Sequence, residues 1–328
     1  MTNPKPKVCL LVPLEPELQS RIEAECELTR PRGFSREELF AALAEVEGVL
    51  LFNAVPVDAE FLDAAPRLRV VSGFGVGYDN VDVAEATKRG IVVCNTPEVL
   101  NAAVVNLAFG MMLALSRRLF ENEQHSRSGA WAQRERPPAL GFDLAGKTLG
   151  VVGFGRIGKE VTRRAHAFGM STLFNDLFQE PPPGSPESRY RPLDDLLRES
   201  DIVSLHPDLN PTSHHLIGAR ELALMKPTAC LLNTSRGPVV DQPALVAALR
   251  EERIAGAAVD VLEQEPPDAD EPLIGLPNAL TFPHIGTATN ETRYAMRELT
   301  VRNLLAALAG ETPPACVNPE VLEVGPGR

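Results

Sequence analysis

The chain has 328 residues, of which 44% are hydrophobic and 23% charged, with a formal net charge of −12. Its length exceeds what a single hydrophobic core usually fills, so two compact units are expected, and its hydrophobic content excludes a disordered chain. The acidic balance argues against nucleic-acid binding, which needs clustered Lys and Arg, and no apolar run reaches the roughly 20 residues of a membrane span.

The N-terminal Met1 to Lys7 leads only into the short apolar stretch Val8 to Pro13, which reads as a buried strand rather than a signal peptide. Five cysteines, Cys9, Cys26, Cys94, Cys230 and Cys316, form an odd and scattered set without a C-x-x-C pair. Neither a disulfide framework nor a zinc site is expected, and a reducing cytoplasm is the expected location.

In chain order, Val8 to Val12, Gly48 to Phe52, Leu68 to Ser72 and Ile91 to Val93 read as strands with helices between them. One helix begins at Ser35, where Ser35 and Glu38 form the capping-box pattern. Pro97 to Arg118 is apolar almost throughout and predicts a helix buried on several sides that carries the chain from one unit to the next. Glu121 to Gly141, which holds the sole tryptophan, Trp131, is polar without clear periodicity and reads as an arm on the surface or at a subunit contact.

A second series of strands follows: Thr148 to Val152, Ser171 to Phe174, Ile202 to Leu205, Ala229 to Leu232, Ala257 to Val261 and Ala279 to Phe282. Asp241 is an N-cap with Pro243 in the first turn, Pro181 to Pro186 marks a loop, and Glu291 to Leu308 is a last helix that returns to the first unit. Such alternation of strand and helix indicates parallel sheets covered by helices.

The first of these strands runs into Gly153-Phe154-Gly155-Arg156-Ile157-Gly158, which opens a helix with Ile157, Val161, Ala165 and Phe168 on one face. Gly153 permits the tight turn, Gly155 lets backbone approach a pyrophosphate, and Gly158 lets helix pack on strand. Free amides and the helix dipole then favour phosphate. Asp176 ends the next strand, where a carboxylate accepts hydrogen bonds from the adenosine ribose and repels the extra phosphate of NADP, so NAD is expected over NADP. An earlier cluster, Gly73-Phe74-Gly75-Val76-Gly77, is either an anion nest suited to a carboxylate or a plain tight turn.

Arg236, Glu265 and His284 lie at or just beyond the C-terminal ends of successive predicted strands, where open α/β sheets bind ligands. Reducing a 2-oxo acid needs a cation for the carboxylate and the polarised carbonyl, and the planar fork of Arg suits this. It also needs a proton donor, and His serves when an adjacent carboxylate favours the imidazolium. His206, His214 and His215 are rivals without a comparable partner, and His214 and His215 lack a third metal ligand.

These stretches resemble the D-isomer-specific 2-hydroxyacid dehydrogenase family over nearly the whole chain. Thr148 to Asp176, Asp201 to His206, Met225 to Ala258 and Pro283 to Ile285 carry the likeness. It implies that Gly153, Gly155, Arg156, Ile157 and Asp176 hold NAD, with His206, Pro207, Thr212, Thr234, Asp260, His284 and Gly286 along the cofactor path. Arg236, Glu265 and His284 would be catalytic. The amides of Val76 and Gly77, with Arg236 and His284, would bind substrate.

Asn95-Thr96-Pro97-Glu98-Val99-Leu100 and the Trp131 arm most resemble the glyoxylate and hydroxypyruvate reductases. Asn101-Ala102 replaces the usual Thr-Asp, Asn106 a common Glu, and Pro207-Asp208-Leu209-Asn210 the usual Cys-Pro-Leu-Thr. The resemblance implies two Rossmann-like α/β domains with parallel sheets. A cofactor domain, 99–288, would be inserted in a discontinuous flavodoxin-like substrate domain, 1–98 plus 289–328. It also implies a homodimer, a small 2-oxo or 2-hydroxy acid as substrate, and no nucleic-acid or membrane partner. Oxidation of another small anion such as phosphite, or an NAD-sensing corepressor-like scaffold, are the alternatives.

Overall fold

The computed structural model describes residues 4–33, 35–137 and 140–323. Two compact units are present: residues up to Leu100 together with those from Thr289 onward, and Asn101–Ala288.

The first unit holds β1 (Lys7–Leu10), α1 (Pro16–Glu25), β2 (Glu27–Thr29), α2 (Arg36–Leu43), β3 (Gly48–Phe52), α3 (Ala59–Ala64), β4 (Val70–Phe74), α4 (Val83–Lys88) and β5 (Val92–Cys94). Its sheet runs β2-β1-β3-β4-β5 with every pair parallel, the flavodoxin-like order. Because side chains alternate along a strand, Cys9, Val49, Leu51, Val71 and Val93 bury one face with Leu43, Phe61 and Ala86 of α2, α3 and α4. Val8, Leu10, Leu50, Val70 and Val92 bury the other with Leu18 and Ile22 of α1 and with Val301, Leu304 and Leu308. The last three belong to the long returning helix, Asn290–Ala309, capped by the Thr289 side chain on the Thr292 amide. Ser35 and Glu38 make the reciprocal capping box at α2 that their spacing predicts.

The second unit begins with α5 (Asn101–Arg117) and α6 (Leu119–Arg127). The helix starts later than the predicted Pro97 because Glu98 is left-handed, at φ 71°, which a right-handed helix cannot contain. Residues 121–127, the start of the Glu121 to Gly141 segment read from sequence as an arm, are helical. Few apolar residues fall on a face there, so no helical period is visible in the sequence. No single described helix is long and apolar enough to cross a membrane; α5 and α6 pass together by composition but are bent by 63°.

β6 (Thr148–Val152), α7 (Arg156–Ala167), β7 (Ser171–Asn175), β8 (Arg189–Tyr190), α8 (Leu193–Glu199), β9 (Ile202–Leu205), α9 (Ala219–Leu224), β10 (Cys230–Asn233), α10 (Gln242–Arg250), β11 (Gly256–Val259) and β12 (Ala279–Thr281) follow. The seven strands run β12-β11-β10-β9-β6-β7-β8, all parallel, so the order reverses between β6 and β9. That reversal is the topological switch point of a doubly wound sheet, where ligands bind beyond the strand ends. Leu149, Val151, Phe174, Ile202, Leu232 and Ala258 pack under α5 and α7, while Val203, Leu205, Leu231, Ala257 and Val259 pack under α8, α9 and α10. Edge strands β2 and β8 were not anticipated. Each is very short, and its pairing comes from a neighbour rather than from its own alternation.

Candidate active site

At the switch point the loop after β6 is shaped by its three glycines. Gly153 has φ 88°, and a Cβ there would lie 2.6 Å from the backbone carbon of His206. A Cβ on Gly158 would lie 2.1 Å from the carbonyl oxygen of Gly153, so only glycine lets α7 begin this close to β6. A Cβ on Gly155 would meet nothing within 4 Å. Protein packing therefore gives no reason for glycine at 155, whereas a ligand seated against the backbone does. The first-turn amides of Arg156 and Ile157 have no intrahelical carbonyl to serve them and point the positive end of α7 into that space. A dinucleotide pyrophosphate fits this cradle.

Asp176 stands directly after β7, and its Oδ2 accepts a hydrogen bond from the Phe154 amide at 2.6 Å. The carboxylate is thus held at the mouth of the glycine loop, where a ribose would sit. Asp176 Oδ1 also receives the Phe178 amide at 3.3 Å.

Across the switch point, the β9 end carries His206, whose Nε2 lies 2.8 Å from Ser204 Oγ and whose Nδ1 lies 3.4 Å from Thr234 Oγ1. The residue is half-buried, and the burial of its ring pushes its pKa down to about 4. His206 is therefore a neutral wall of the site. Pro207 follows it against the Gly153 turn. Thr212 lies in the next turn, donating from its amide and hydroxyl to Asn210 Oδ1 at 2.8 and 2.6 Å.

The catalytic candidates come from β10, β11 and β12. Asn233, buried at the end of β10, accepts from the Ser235 amide at 3.0 Å and donates to the Arg236 carbonyl at 2.9 Å, which fixes the turn presenting Arg236. Gly237 then passes so close to the next loop that a Cβ would sit 1.9 Å from the Leu262 carbonyl oxygen. Asp260, buried at the end of β11, accepts from the amides of Ile285 and Gly286, both at 2.7 Å, while its own carbonyl accepts from the His284 amide at 2.9 Å. This lashes the β12 loop to β11 and holds His284 in a left-handed conformation, φ 53°.

Glu265 completes the group. Its Oε2 is 2.6 Å from His284 Nδ1, and its Oε1 accepts from the Leu262 amide at 3.0 Å. Burial raises the Glu265 pKa, but the His284 hydrogen bond and charge, the Leu262 amide and the Arg236 guanidinium outweigh it, and the carboxyl lies below its ordinary value. At Asp260 the balance reverses: burial dominates over the two amides and raises the pKa. Arg236, Glu265 and His284, drawn from three loops, are thus brought into one electrostatic group. Sequence reading missed Asn233 as a positioning residue, although a buried Asn just before Thr-Ser-Arg-Gly is the kind of side chain that closes an Asx turn.

In the first unit, the glycine cluster after β4 is held from behind. Asn53 donates to the Gly77 carbonyl and Asn95 to the Val76 carbonyl, each at 2.8 Å, and neither amide of Val76 or Gly77 carries a hydrogen bond among the described residues. Two adjacent amides are thus left open beside carbonyls held by Asn53 and Asn95.

A cavity of about 630 Å³ in the second unit lies away from this chemistry, between α5, α6 and the β12 edge, lined by residues such as Leu115, Phe120, Leu140, Ile274 and Phe282. None of the glycine loop, Arg236, Glu265 or His284 lines it.

The geometry agrees with what the chain is similar to. The family model described as "D-isomer specific 2-hydroxyacid dehydrogenase, NAD binding domain" matches residues 109–286. The chain is 46% identical over 294 residues to a glyoxylate reductase of Korarchaeum cryptofilum, covering 89% of each. A glyoxylate reductase structure from Paecilomyes thermophila matches with TM-score 0.89 at 32% identity, over 97% of this chain and 99% of that one. An NADPH-dependent glyoxylate/hydroxypyruvate reductase from Sinorhizobium meliloti, solved with NADP and malonate, gives TM-score 0.87 at 34% identity over 95% and 97% of the two chains. With a glycine cradle for a dinucleotide and an Arg, Glu and His gathered beside it, this chain belongs to the D-isomer specific 2-hydroxyacid dehydrogenase family.

Proposed function

We propose that the protein reduces a small 2-oxo acid of the glyoxylate or hydroxypyruvate type to the 2-hydroxy acid, D-configured where C2 becomes chiral, with NADH as reductant. The observation that carries this reading is the 2.6 Å contact of Glu265 with His284 Nδ1, which leaves Nε2 as the ring atom to face a substrate oxygen. The names of the relatives favour this reaction over oxidation of phosphite or a scaffold role.

Gly153, Gly155, Arg156, Ile157 and Asp176 hold the dinucleotide, with His206, Pro207, Thr212, Thr234, Asp260 and Gly286 along its nicotinamide half; bound there, it supplies a hydride to C2. Arg236 pairs with the substrate carboxylate and the carbonyl oxygen, drawing electron density from C2. The amides of Val76 and Gly77 take the carboxylate. His284 gives its proton to the oxygen as charge develops, and Glu265, already ionised, stabilises the imidazolium and fixes the ring. Asp176 favours NADH, since a 2′-phosphate would meet its carboxylate.

Leu119, Phe120, Trp131, Leu140 and Ile274 are exposed by 51, 47, 72, 92 and 51% in the second unit. So many large apolar side chains support a homodimer that covers them. The acidic charge and the scattered cysteines without a C-x-x-C pair support a cytoplasmic protein without nucleic-acid or membrane partners.

The test is loss of NADH absorbance across a panel of 2-oxo acids, repeated with NADPH. Turnover of glyoxylate or hydroxypyruvate is expected, faster with NADH, and no turnover of any member overturns the proposal. Sedimentation of the full chain as a monomer would overturn the dimer.

A further inference from the structure

In the first unit, the segment after the long C-terminal helix returns beside β5, and Cys316 pairs with Cys94 in an isolated antiparallel bridge. The Val317 amide donates to the Val93 carbonyl at 2.7 Å, so the hydrogen bond runs through the flanking residues and the cysteines form the non-hydrogen-bonded pair. In such a pair the Cα atoms are about 4.5 Å apart, and the side chains leave the same face of the sheet. That separation lies within the range disulfides adopt, about 4.4 to 6.8 Å.

Both sulfurs belong to the apolar cluster beneath α1 and the C-terminal helix, Cys94 fully buried and Cys316 partly exposed. We propose that Cys94 and Cys316 are an oxidisable pair, which a hydroperoxide closes to a disulfide that fastens the C-terminal segment to β5.

The two thiols have different roles. The neighbouring Cys94 thiol, aided by an Asn318 backbone hydrogen bond and opposed by burial and the Glu320 charge, holds the Cys316 pKa below its ordinary value. The same contact, with burial, pushes Cys94 up. Cys316 is therefore the attacking thiolate, being also the sulfur with solvent access. It attacks the O–O bond, forming an S–O bond and releasing the alcohol, or water from hydrogen peroxide. Cys94 then loses its proton and attacks the sulfenic sulfur; the S–S bond forms, the S–O bond breaks, and water leaves. Two thiols and one hydroperoxide give one disulfide, one alcohol and one water.

Asn318 holds the register mainly through backbone, and its Oδ1 also accepts from the Cys316 thiol at 3.7 Å. Asn318, buried, accepts from the Val93 amide at 2.8 Å and donates to the Ile91 carbonyl and Thr87 Oγ1, both at 2.9 Å. The cysteines thus remain opposed when reduced. Cys9, Cys26 and Cys230 are buried, and burial pushes each up to about 11, which leaves them poorly reactive.

The experiment treats the reduced full chain with a modest excess of hydrogen peroxide, then alkylates and maps peptides without reduction. A cross-linked Cys94–Cys316 peptide, a mass loss of two hydrogens and the other three cysteines still free are expected. The unfolding midpoint of the oxidised protein should rise by roughly 5 °C. In Cys94→Ser, a sulfenic acid on Cys316 should be trapped by dimedone. Over-oxidation of Cys316 with Cys94 still free, an unreactive Cys316, or a cross-link to another cysteine would each overturn the proposal. The wild-type peptide map decides it even if the serine variant folds poorly.

Discussion

Glu265 Oε2 lies 2.6 Å from His284 Nδ1, and the His284 amide is bonded at 2.9 Å to the Asp260 carbonyl, so the imidazole is oriented through both side chain and backbone. His284→Ala is expected to lower the rate of 2-oxo acid reduction by roughly 10²-fold or more, with the NADH dissociation constant little changed. Stopped-flow hydride transfer and fluorescence titration separate the two quantities, and wild-type rates would mean another group gives the proton.

Glu265→Gln keeps the shape of that contact but removes its charge. In the native protein the depressed Glu265 pKa keeps the carboxylate ionised through neutrality, and it protonates only as the pH falls through that lowered value. With glutamine the Nδ1 contact keeps its shape but the balancing charge is gone, so kcat should fall while the NADH dissociation constant is kept, and the acid-side loss that Glu265 protonation causes should disappear. A variant with native kcat and an unchanged acid limb would show that Glu265 does not act through His284.

Arg236 is aimed by a turn that Asn233 and Gly237 shape. Arg236→Lys should raise KM and lower kcat/KM by roughly 10²-fold, since one ammonium cannot reproduce a bidentate grip. Asn233→Ala should give a milder form of the same defect. Steady-state kinetics on both variants checks the order, and an Asn233 defect without any in Arg236→Lys would contradict it.

The open space at Gly155 makes a sharper test of the cradle. Since its Cβ would contact no protein atom, Gly155→Val should cost at most about 1 kcal/mol through the weaker helix cap, yet weaken NADH binding more than tenfold. Calorimetric titration beside thermal unfolding checks both halves. Retained binding would place the pyrophosphate elsewhere.

His206 predicts an acid-side stability slope. Its folded pKa is pushed down to about 4 by burial, whereas the unfolded value is near 6.5. Between those values the unfolded chain binds the extra proton, so stability falls as pH falls from about 6.5, and the loss is complete below about 4. The partial exposure of the residue reduces the effect to about 1 to 2 kcal/mol. Denaturant midpoints of His206→Asn across this window should show a flatter profile, and an unchanged slope would assign it to other groups.

Much of this was legible in residues near one another along the chain. The three glycines, the Ser35 and Glu38 capping box, the Asp241 N-cap and the apolar cores of the longer strands each owe their form to local backbone geometry or to the two-residue alternation of a strand, and the sequence carries both directly. Tertiary structure alone decided what depends on distant segments arriving side by side. The 2.6 Å contact of Glu265 with His284, the service of Asp260 and Asn233 as fasteners, the open amides of Val76 and Gly77, the edge strands β2 and β8, and the opposition of Cys94 to Cys316 are of this kind. Strand order and loop closure set those distances, and neither leaves a periodic mark on the residues it brings together.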